Sequence, residues 1–278
     1  MGVVSKEVRL TKLLEGARAI AQADEILRSA TEHVGGLGGA GTADEEALSQ
    51  RIAKALVVQP DLTRKAKPIV NYVVGGTRAG GAFPEVVALK HAVGFNCSGV
   101  IVGARWIMTA AHCVIEAPSV AFIGDDVNGR GKGVNLKCRV VVENEVALVQ
   151  ISDNEQDLPA PFAVMGASQP LPDTSATIVG FGFQDARRTV GLGEKSVGVV
   201  TIKKSTATVI KSRGGAYDTC DGDSGGPCYV VENNSMVLAG ITNEGITVGN
   251  CGAGSEYRFV NNRVISAIQG YLAGTSHC

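Results

Sequence analysis

Apolar residues near the amino terminus follow the period of an α-helix. Between Val8 and Ala30 they lie three or four positions apart, as on one face of an amphipathic helix: Leu10, Leu13, Leu14, Ala17, Ile20, Ala21 and Leu27. A glycine-rich run at 35–41 ends this pattern, and Thr42 with Glu45 then forms a capping box for a second helix that stops before Pro60. The first part of the chain is therefore predicted to be helical.

The period changes to two in the later part of the chain. Val134, Leu136, Cys138 and Val140 alternate with polar residues, which is typical of a half-buried strand. Two apolar runs, 228–231 and 236–241, flank the polar segment 232–235 and predict a hairpin. Near the carboxyl end, apolar residues at 264, 265, 268 and 272 fit a short helix.

A connector separates these two parts. Residues 61–72 carry Arg64, Lys65, Lys67 and Pro68 without periodicity, which indicates an exposed linker. We therefore predict a helical segment with its linker at 1–72 and a β-rich domain at 73–278.

Composition supports the β-rich interpretation and excludes some partners. The chain has 36 glycines among its 278 residues, above the average of roughly 7 %, which suits many turns between short strands. Its formal net charge of -1 gives no electrostatic reason to expect nucleic acid or an anionic membrane as a partner. No apolar run reaches the roughly 18 residues of a membrane span, so we expect neither kind of partner.

The amino-terminal residues and the cysteines point to different compartments. The first 30 residues carry charges throughout, so we expect no signal peptide and an intracellular setting. The seven cysteines form no C-x-x-C pair, and the sequence predicts no metal and no cofactor. Disulfides, in contrast, would suit an extracellular or periplasmic compartment. The sequence leaves the localisation undecided.

One glycine-rich segment surrounds a candidate nucleophile. Gly222-Asp223-Ser224-Gly225-Gly226 places a serine where the backbone can approach closely. A serine hydroxyl is a weak nucleophile, so it needs a neighbouring base and N–H donors aimed at the oxyanion that forms. Taken alone, the pentapeptide is equally well read as a polar turn.

Three motifs in a fixed order support the catalytic interpretation. They are Val-Val-Gly-Gly at 73–76, Thr-Ala-Ala-His-Cys at 109–113 and Gly-Asp-Ser-Gly-Gly-Pro at 222–227. From about residue 73 onward the chain resembles the trypsin/chymotrypsin-like serine proteases. Because the histidine precedes the serine, the order differs from that of α/β-hydrolase esterases.

The resemblance implies a fold and an activity. It implies an all-β fold of two six-stranded antiparallel barrels with a short carboxy-terminal helix, here preceded by a small helical segment. It also implies a serine endopeptidase that acts on protein or peptide substrates.

The resemblance also implies roles for individual residues. Ser224 would be the nucleophile, His112 the general base, and the N–H groups of Gly222 and Ser224 the oxyanion hole. Asp223 would form an ion pair with the amino group of Val73 once the preceding peptide bond is cut.

The third member of the triad departs from the family pattern. The family has an aspartate before an aliphatic-Ala-Leu-aliphatic run, and this chain has Glu145 before the run at 146–149. We expect Glu145 to orient His112, since glutamate supplies the same charge. The alternative is a catalytically inactive binding or regulatory protein on the same fold, with Glu145 as an exposed strand residue.

The specificity pocket is expected to favour basic side chains. Asp218 lies six residues before Ser224, where trypsin-like relatives place the pocket-floor carboxylate that selects Arg or Lys. Asn243, Glu244 and Gly245 align with a wall that usually reads Ser-Trp-Gly, so the pocket shape is expected to be unusual. Asp221 and Glu244 would add to the preference for basic substrates.

Cysteine pairing follows from the same alignment. The resemblance implies the disulfides Cys97–Cys113 and Cys220–Cys251. Cys138, Cys228 and Cys278 match no family disulfide, and we expect Cys138 and Cys228 to be buried core thiols.

The residue before Val73 suggests how the protein is activated. Tyr72 would not fit a pocket that selects basic residues, so self-cleavage at this bond is disfavoured. We expect an activating protease, or a regulatory partner acting through residues 1–72, to control activity. That segment is interpreted as a pro-segment or spacer, or alternatively as an adaptor module.

Overall fold

The computed structural model describes residues 73–92, 94–129, 131–159, 161–166, 168–247 and 251–277. The two helices predicted before Pro60 lie outside these ranges. Within them, no helix is long and apolar enough to cross a membrane.

The first half of the described chain closes into an antiparallel barrel. Its strands follow one another in space as β2-β3-β4-β7-β6-β5. They are β2 (Val86–His91), β3 (Gly94–Gly103), β4 (Trp106–Ala110), β5 (Val120–Gly124), β6 (Gly131–Val141) and β7 (Val146–Ile151).

The second half forms another closed barrel. Its strands follow the order β8-β9-β10-β13-β12-β11, and β11 pairs with β8 to close the ring. They are β8 (Ser175–Gly180), β9 (Ser196–Ser205), β10 (Val209–Ser212), β11 (Pro227–Glu232), β12 (Ser235–Gly245) and β13 (Ser255–Phe259). A short strand β1 (Thr77–Arg78) pairs with the start of β9, and helix α1 (Asn262–Leu272) ends the fold. The prediction of an all-β fold with two six-stranded barrels and a carboxy-terminal helix is confirmed.

Apolar strands form the centre of the first barrel. All of β4 is buried, and Met108 pairs with Leu148 of β7, which is buried as well. β-Branched and other apolar residues favour such strands because their side chains fill both faces of a covered sheet. The ends of β4 and β7 lead to the segments that carry His112 and Glu145.

The alternation predicted for β6 is present, but the expectation that Cys138 is a buried core thiol is wrong. Cys138 is only half-buried on this strand and is disulfide-bonded, with a partner outside the described residues. A side chain at this partly exposed position can reach a partner beyond the barrel core. Cys228 is a free, buried thiol, and burial raises its pKa to about 12.

The predicted hairpin joins β11 to β12. Asn233 and Asn234 at its tip both have positive φ, 49° and 60°. Two left-handed residues are the requirement of a type I′ turn, and asparagine tolerates that conformation.

Helix α1 begins with a side-chain cap. The Asn261 carboxamide oxygen accepts hydrogen bonds from the N–H groups of Arg263 and Val264 at 3.0 and 3.1 Å, and its nitrogen donates to the Ala207 carbonyl at 2.7 Å. Tyr271 on the same helix packs edge-on against Trp106, with ring centroids 5.4 Å apart. The cap therefore connects the helix to the β9–β10 turn.

We predict that Asn261→Ala lowers the free energy of unfolding by about 1 kcal/mol, because it removes the cap. Asn261→Asp keeps the capping oxygen but loses the donor to Ala207, so its stability should be intermediate. Urea unfolding of the three proteins would check this, and equal midpoints for Asn261→Ala and the native chain would contradict it.

Candidate active site

The serine loop of the second barrel is held against the histidine segment of the first. The Ser224 carbonyl accepts a hydrogen bond from the Ser98 N–H of β3 at 2.7 Å and lies 3.5 Å from the Cys113 sulfur. Cys113 follows His112 in a short 3-10 helix, Ala111–Val114, and is disulfide-bonded to Cys97. The structure therefore brings the backbones at Ser224 and His112 to the same place.

Two glycines allow this close docking. Gly222 has φ 98° and Gly225 has φ 84°, a region that favours glycine. A Cβ at position 225 would lie 2.0 Å from the Thr109 hydroxyl oxygen, and one at position 222 would lie 2.8 Å from the Gly182 Cα. A larger residue at 225 would push the loop away from the first barrel, and one at 222 would clash with the segment at Gly182.

The loop leaves two backbone donors free. The Ser98 hydroxyl donates to the Gly222 carbonyl at 2.8 Å and so fixes that peptide. Among the described residues, the N–H groups of Gly222 and Ser224 have no protein acceptor. Free donors on a rigid loop beside a serine have the chemistry needed to stabilise an oxyanion.

His112 follows β4 directly, and part of its side chain reaches solvent. Burial lowers the pKa of His112 below its ordinary value, whereas a hydrogen bond with the Asn243 side chain and the charges of Glu244 and Glu145 oppose that shift. The imidazole is consequently neutral at neutral pH, which is the form that accepts a proton.

Glu145 lies beside His112, but its carboxylate is engaged elsewhere. Its carbonyl accepts from the Ala111 N–H at 2.8 Å, so the turn before β7 contacts the histidine segment. Its side chain is 59 % exposed and forms an ion pair with Arg258 of β13. The side-chain hydrogen bonding that raises the pKa of His112 comes from Asn243 and not from Glu145.

A pocket of about 240 Å³ opens next to Ser224. Its lining includes Asn243 and Gly245 and the disulfide Cys220–Cys251. Arg188 and Asp221 also line it and form an ion pair at 2.5 Å. Arg188 was not identified from the sequence, because no local signal connects residue 188 with the serine loop.

Asp218 is fully buried at 0 % exposure and is not among the residues that line this pocket. Its carboxylate accepts from the N–H groups of Thr219, Gly252 and Gly254 and from the Ser255 hydroxyl. Its own backbone N–H donates to the Val74 carbonyl at 3.2 Å. The segment that begins at Val73 therefore packs against the pocket loop.

Asp223 is a second buried acid of the same loop, at 2 % exposure. It accepts from the N–H groups of Gly182 and Cys220 at 2.8 and 2.9 Å. Burial raises its pKa to about 7, although these two donors favour the charged form. No cationic side chain of the described residues pairs with it.

The sequence profile of the Trypsin family matches residues 72–268, which is most of the chain. The chain belongs to the trypsin family. This confirms the resemblance drawn from the three motifs, and it places the chain among the trypsin-like serine proteases.

Curated relatives agree with this family. Trypsin Tyr p 3.0101 of Tyrophagus putrescentiae is 29 % identical over 238 residues, which cover 73 % of this chain and 80 % of the relative. Transmembrane protease serine 7 of Rattus norvegicus is 26 % identical over 235 residues, 72 % of this chain and 28 % of the relative. Human Serine protease 56 is 28 % identical over 225 residues, which cover 66 % of this chain and 36 % of the relative. The chain spans well under half the length of the last two.

One cluster near the trypsin-family site resembles a metal-ligand set. Among the described residues, Cys97, His112 and Cys113 bring their ligand atoms within 4.8 Å of one another. Both sulfurs are used in the Cys97–Cys113 disulfide, so the cluster offers only the imidazole. It does not form a metal site in this state.

We predict that the His112 imidazole titrates below its ordinary pKa of about 6.5. Asn243→Leu removes the acceptor at similar volume, so it should lower the midpoint further, whereas Asn243→Asp should raise it. NMR titration of the His112 Cε1–H signal in the three proteins measures this directly. An unchanged midpoint in Asn243→Leu would refute the role of Asn243.

Proposed function

We propose that this chain is a serine endopeptidase that cleaves peptide bonds after Arg or Lys. The supporting observation is that Ser224 lies on a glycine-dependent loop docked at the His112 segment, where the N–H groups of Gly222 and Ser224 have no acceptor among the described residues. The pocket next to Ser224 would receive the substrate side chain that precedes the cleaved bond.

The reaction proceeds in two halves. Ser224 Oγ attacks the carbonyl carbon, its proton passes to His112, and the oxyanion is held by the Gly222 and Ser224 N–H groups. The C–N bond then breaks as His112 returns the proton to the leaving amine. Water, deprotonated by His112, next attacks the acyl-enzyme, and Ser224 leaves with the proton. Losing one oxyanion donor typically lowers turnover ~100- to 1,000-fold.

Glu145 completes the proposed triad as the residue that stabilises protonated His112. Its carbonyl contact with Ala111 holds its turn at the histidine segment, and its negative charge raises the pKa of His112. A direct hydrogen bond requires the carboxylate to leave Arg258 and turn toward the imidazole. The attraction between them increases when His112 gains a proton, which favours this exchange during the reaction.

We predict that Glu145→Gln lowers kcat by about 100-fold or more, because an uncharged amide stabilises the imidazolium poorly. Glu143→Gln is a matched control, since Glu143 is an exposed acid of the same turn. Kinetics on fluorogenic peptides would compare both with Ser224→Ala, which should be inactive. Equal activity of the two glutamine variants would exclude Glu145 from the triad.

The chain is further proposed to be a zymogen, divided into a controlling segment at 1–72 and a protease domain at 73–278. Asp223 is buried without a cationic side-chain partner, while Val73 is 1 % exposed and begins a segment docked on the Asp218 backbone. Cleavage after Tyr72 would create an ammonium group at Val73 that could pair with Asp223. Because Tyr72 is not basic, the cut is assigned to another protease or to control by a partner of residues 1–72.

We predict that protein with a free Val73 amino group is at least 10-fold more active than the full chain. The new ion pair would lower the pKa of Asp223. The stabilisation that this ion pair gives the folded protein is therefore present at neutral pH and lost as the pH falls through the lowered pKa. Asp223→Asn should remove the gain. Kinetics of the native chain and of Asp223→Asn, each intact and cleaved before Val73, measure this gain. Efficient self-cleavage at Tyr72–Val73 by the purified chain would contradict the proposed control.

The ion pair Glu145–Arg258 favours a second candidate, a catalytically inactive binding or regulatory protein on the trypsin fold. In that case the carboxylate would stay with Arg258, and His112 would lack its charged partner. A folded, Val73-terminated protein without Ser224-dependent hydrolysis of any peptide would favour this alternative.

A further inference from the structure

Asp218, the carboxylate expected at the pocket floor, has no free acceptor site for a substrate. A carboxylate offers about four acceptor positions, and Asp218 uses four with protein donors: Thr219, Gly252, Gly254 and Ser255. The hydroxyl groups of Thr219 and Ser255 also contact each other at 2.5 Å. A guanidinium could reach Asp218 only by displacing one of these buried donors.

A second acid of the pocket already forms an ion pair with a side chain of the same protein. Asp221 is paired with Arg188 at 2.5 Å, and both residues line the pocket. Together they add no net charge to the lining. A basic substrate side chain would therefore contact the Arg188–Asp221 ion pair and not a free carboxylate at this position.

Glu244 is the remaining acid of the lining. It lies on the pocket wall and is exposed, and within the described residues its carboxylate has neither a hydrogen bond nor an ion pair. Its charge reaches the site, since it raises the pKa of His112. The pocket therefore has one free carboxylate, and it lies at the wall.

We propose that Glu244, and not Asp218, is the carboxylate that a basic substrate side chain contacts in this pocket. The proposal rests on the proposed peptidase function and specifies how its site selects a substrate. Asp218 then acts as a positioning residue that connects the serine loop, the 252–255 segment and Val74. Arginine should be preferred to lysine, because a planar guanidinium can bind a carboxylate through two parallel hydrogen bonds.

An exposed carboxylate gives selectivity that depends on salt. Exposed ion pairs are screened by salt far more than buried pairs. Contact at Glu244 therefore predicts that the preference for Arg falls as ionic strength rises, whereas contact at the buried Asp218 would be much less sensitive.

The test compares peptides with arginine or citrulline at the cleaved position, on Val73-terminated protein. Citrulline has nearly the shape of arginine but no charge. Glu244→Gln should lower kcat/KM for the arginine peptide about 10-fold more than for the citrulline peptide, because the loss of its charge near His112 affects both peptides alike. Glu116→Gln removes an exposed charge outside the lining and should change neither. An unchanged arginine-to-citrulline ratio in Glu244→Gln would overturn the proposal.

A binding measurement separates this proposal from the proposed activity. Calorimetry with benzamidine, a cationic arginine mimic, on the Ser224→Ala variant requires no turnover. We expect about 10-fold weaker binding in Glu244→Gln, native binding in Glu116→Gln, and weaker binding of the parent at 0.5 M than at about 0.05 M salt. Native affinity in Glu244→Gln would reject Glu244 even if no peptide is hydrolysed. Ser224-independent or absent hydrolysis would reject the peptidase function alone.

Discussion

The site depends on the docking of the loop from Asp218 to Pro227 against the first barrel. Ser98 holds this loop at two points, through its N–H to the Ser224 carbonyl and through its hydroxyl to the Gly222 carbonyl. Gly225 donates to the Thr242 carbonyl at 2.8 Å, which connects the same loop to the pocket wall. The proposed nucleophile, two backbone N–H groups without acceptors among the described residues, and the pocket entrance are therefore fixed by a few buried hydrogen bonds of this loop.

Two buried carboxylates in this loop are stabilised in different ways. Asp218 has four donors, so its charge is compensated within the protein. Asp223 has two donors, and burial raises its pKa to about 7. An acid with incomplete compensation gains more from a new cation than a saturated one. This difference supports the proposals that Asp223 receives an amino group and that Asp218 holds segments together.

Local patterns predicted the fold and part of the site, but not its ion pairs. The alternation in β6, the turn at Asn233 and the helix capped by Asn261 each depend on neighbours in sequence, and the three motifs located Ser224 and His112. Arg258 is 113 positions away in sequence from its partner Glu145, and Arg188 is 33 positions away from its partner Asp221. No spacing rule encodes such pairs, because they depend on where barrel closure brings β13 and the 184–193 loop. The disulfide at Cys138 was missed for the same reason.

The same long-range pairs account for the departures from the family pattern. The longer side chain of glutamate at 145 places its carboxylate within reach of Arg258, and the wall residue Asn243 supplies a neutral acceptor for His112. A neutral acceptor fixes the ring without raising its pKa as far as an adjacent carboxylate would. His112 thus remains a neutral base before the reaction. Once it gains a proton, Glu145 and Glu244 are the acids whose charges stabilise it, while Arg258 opposes them. Desolvation by burial and the balance among these four side chains together set the proton affinity of the proposed catalytic base.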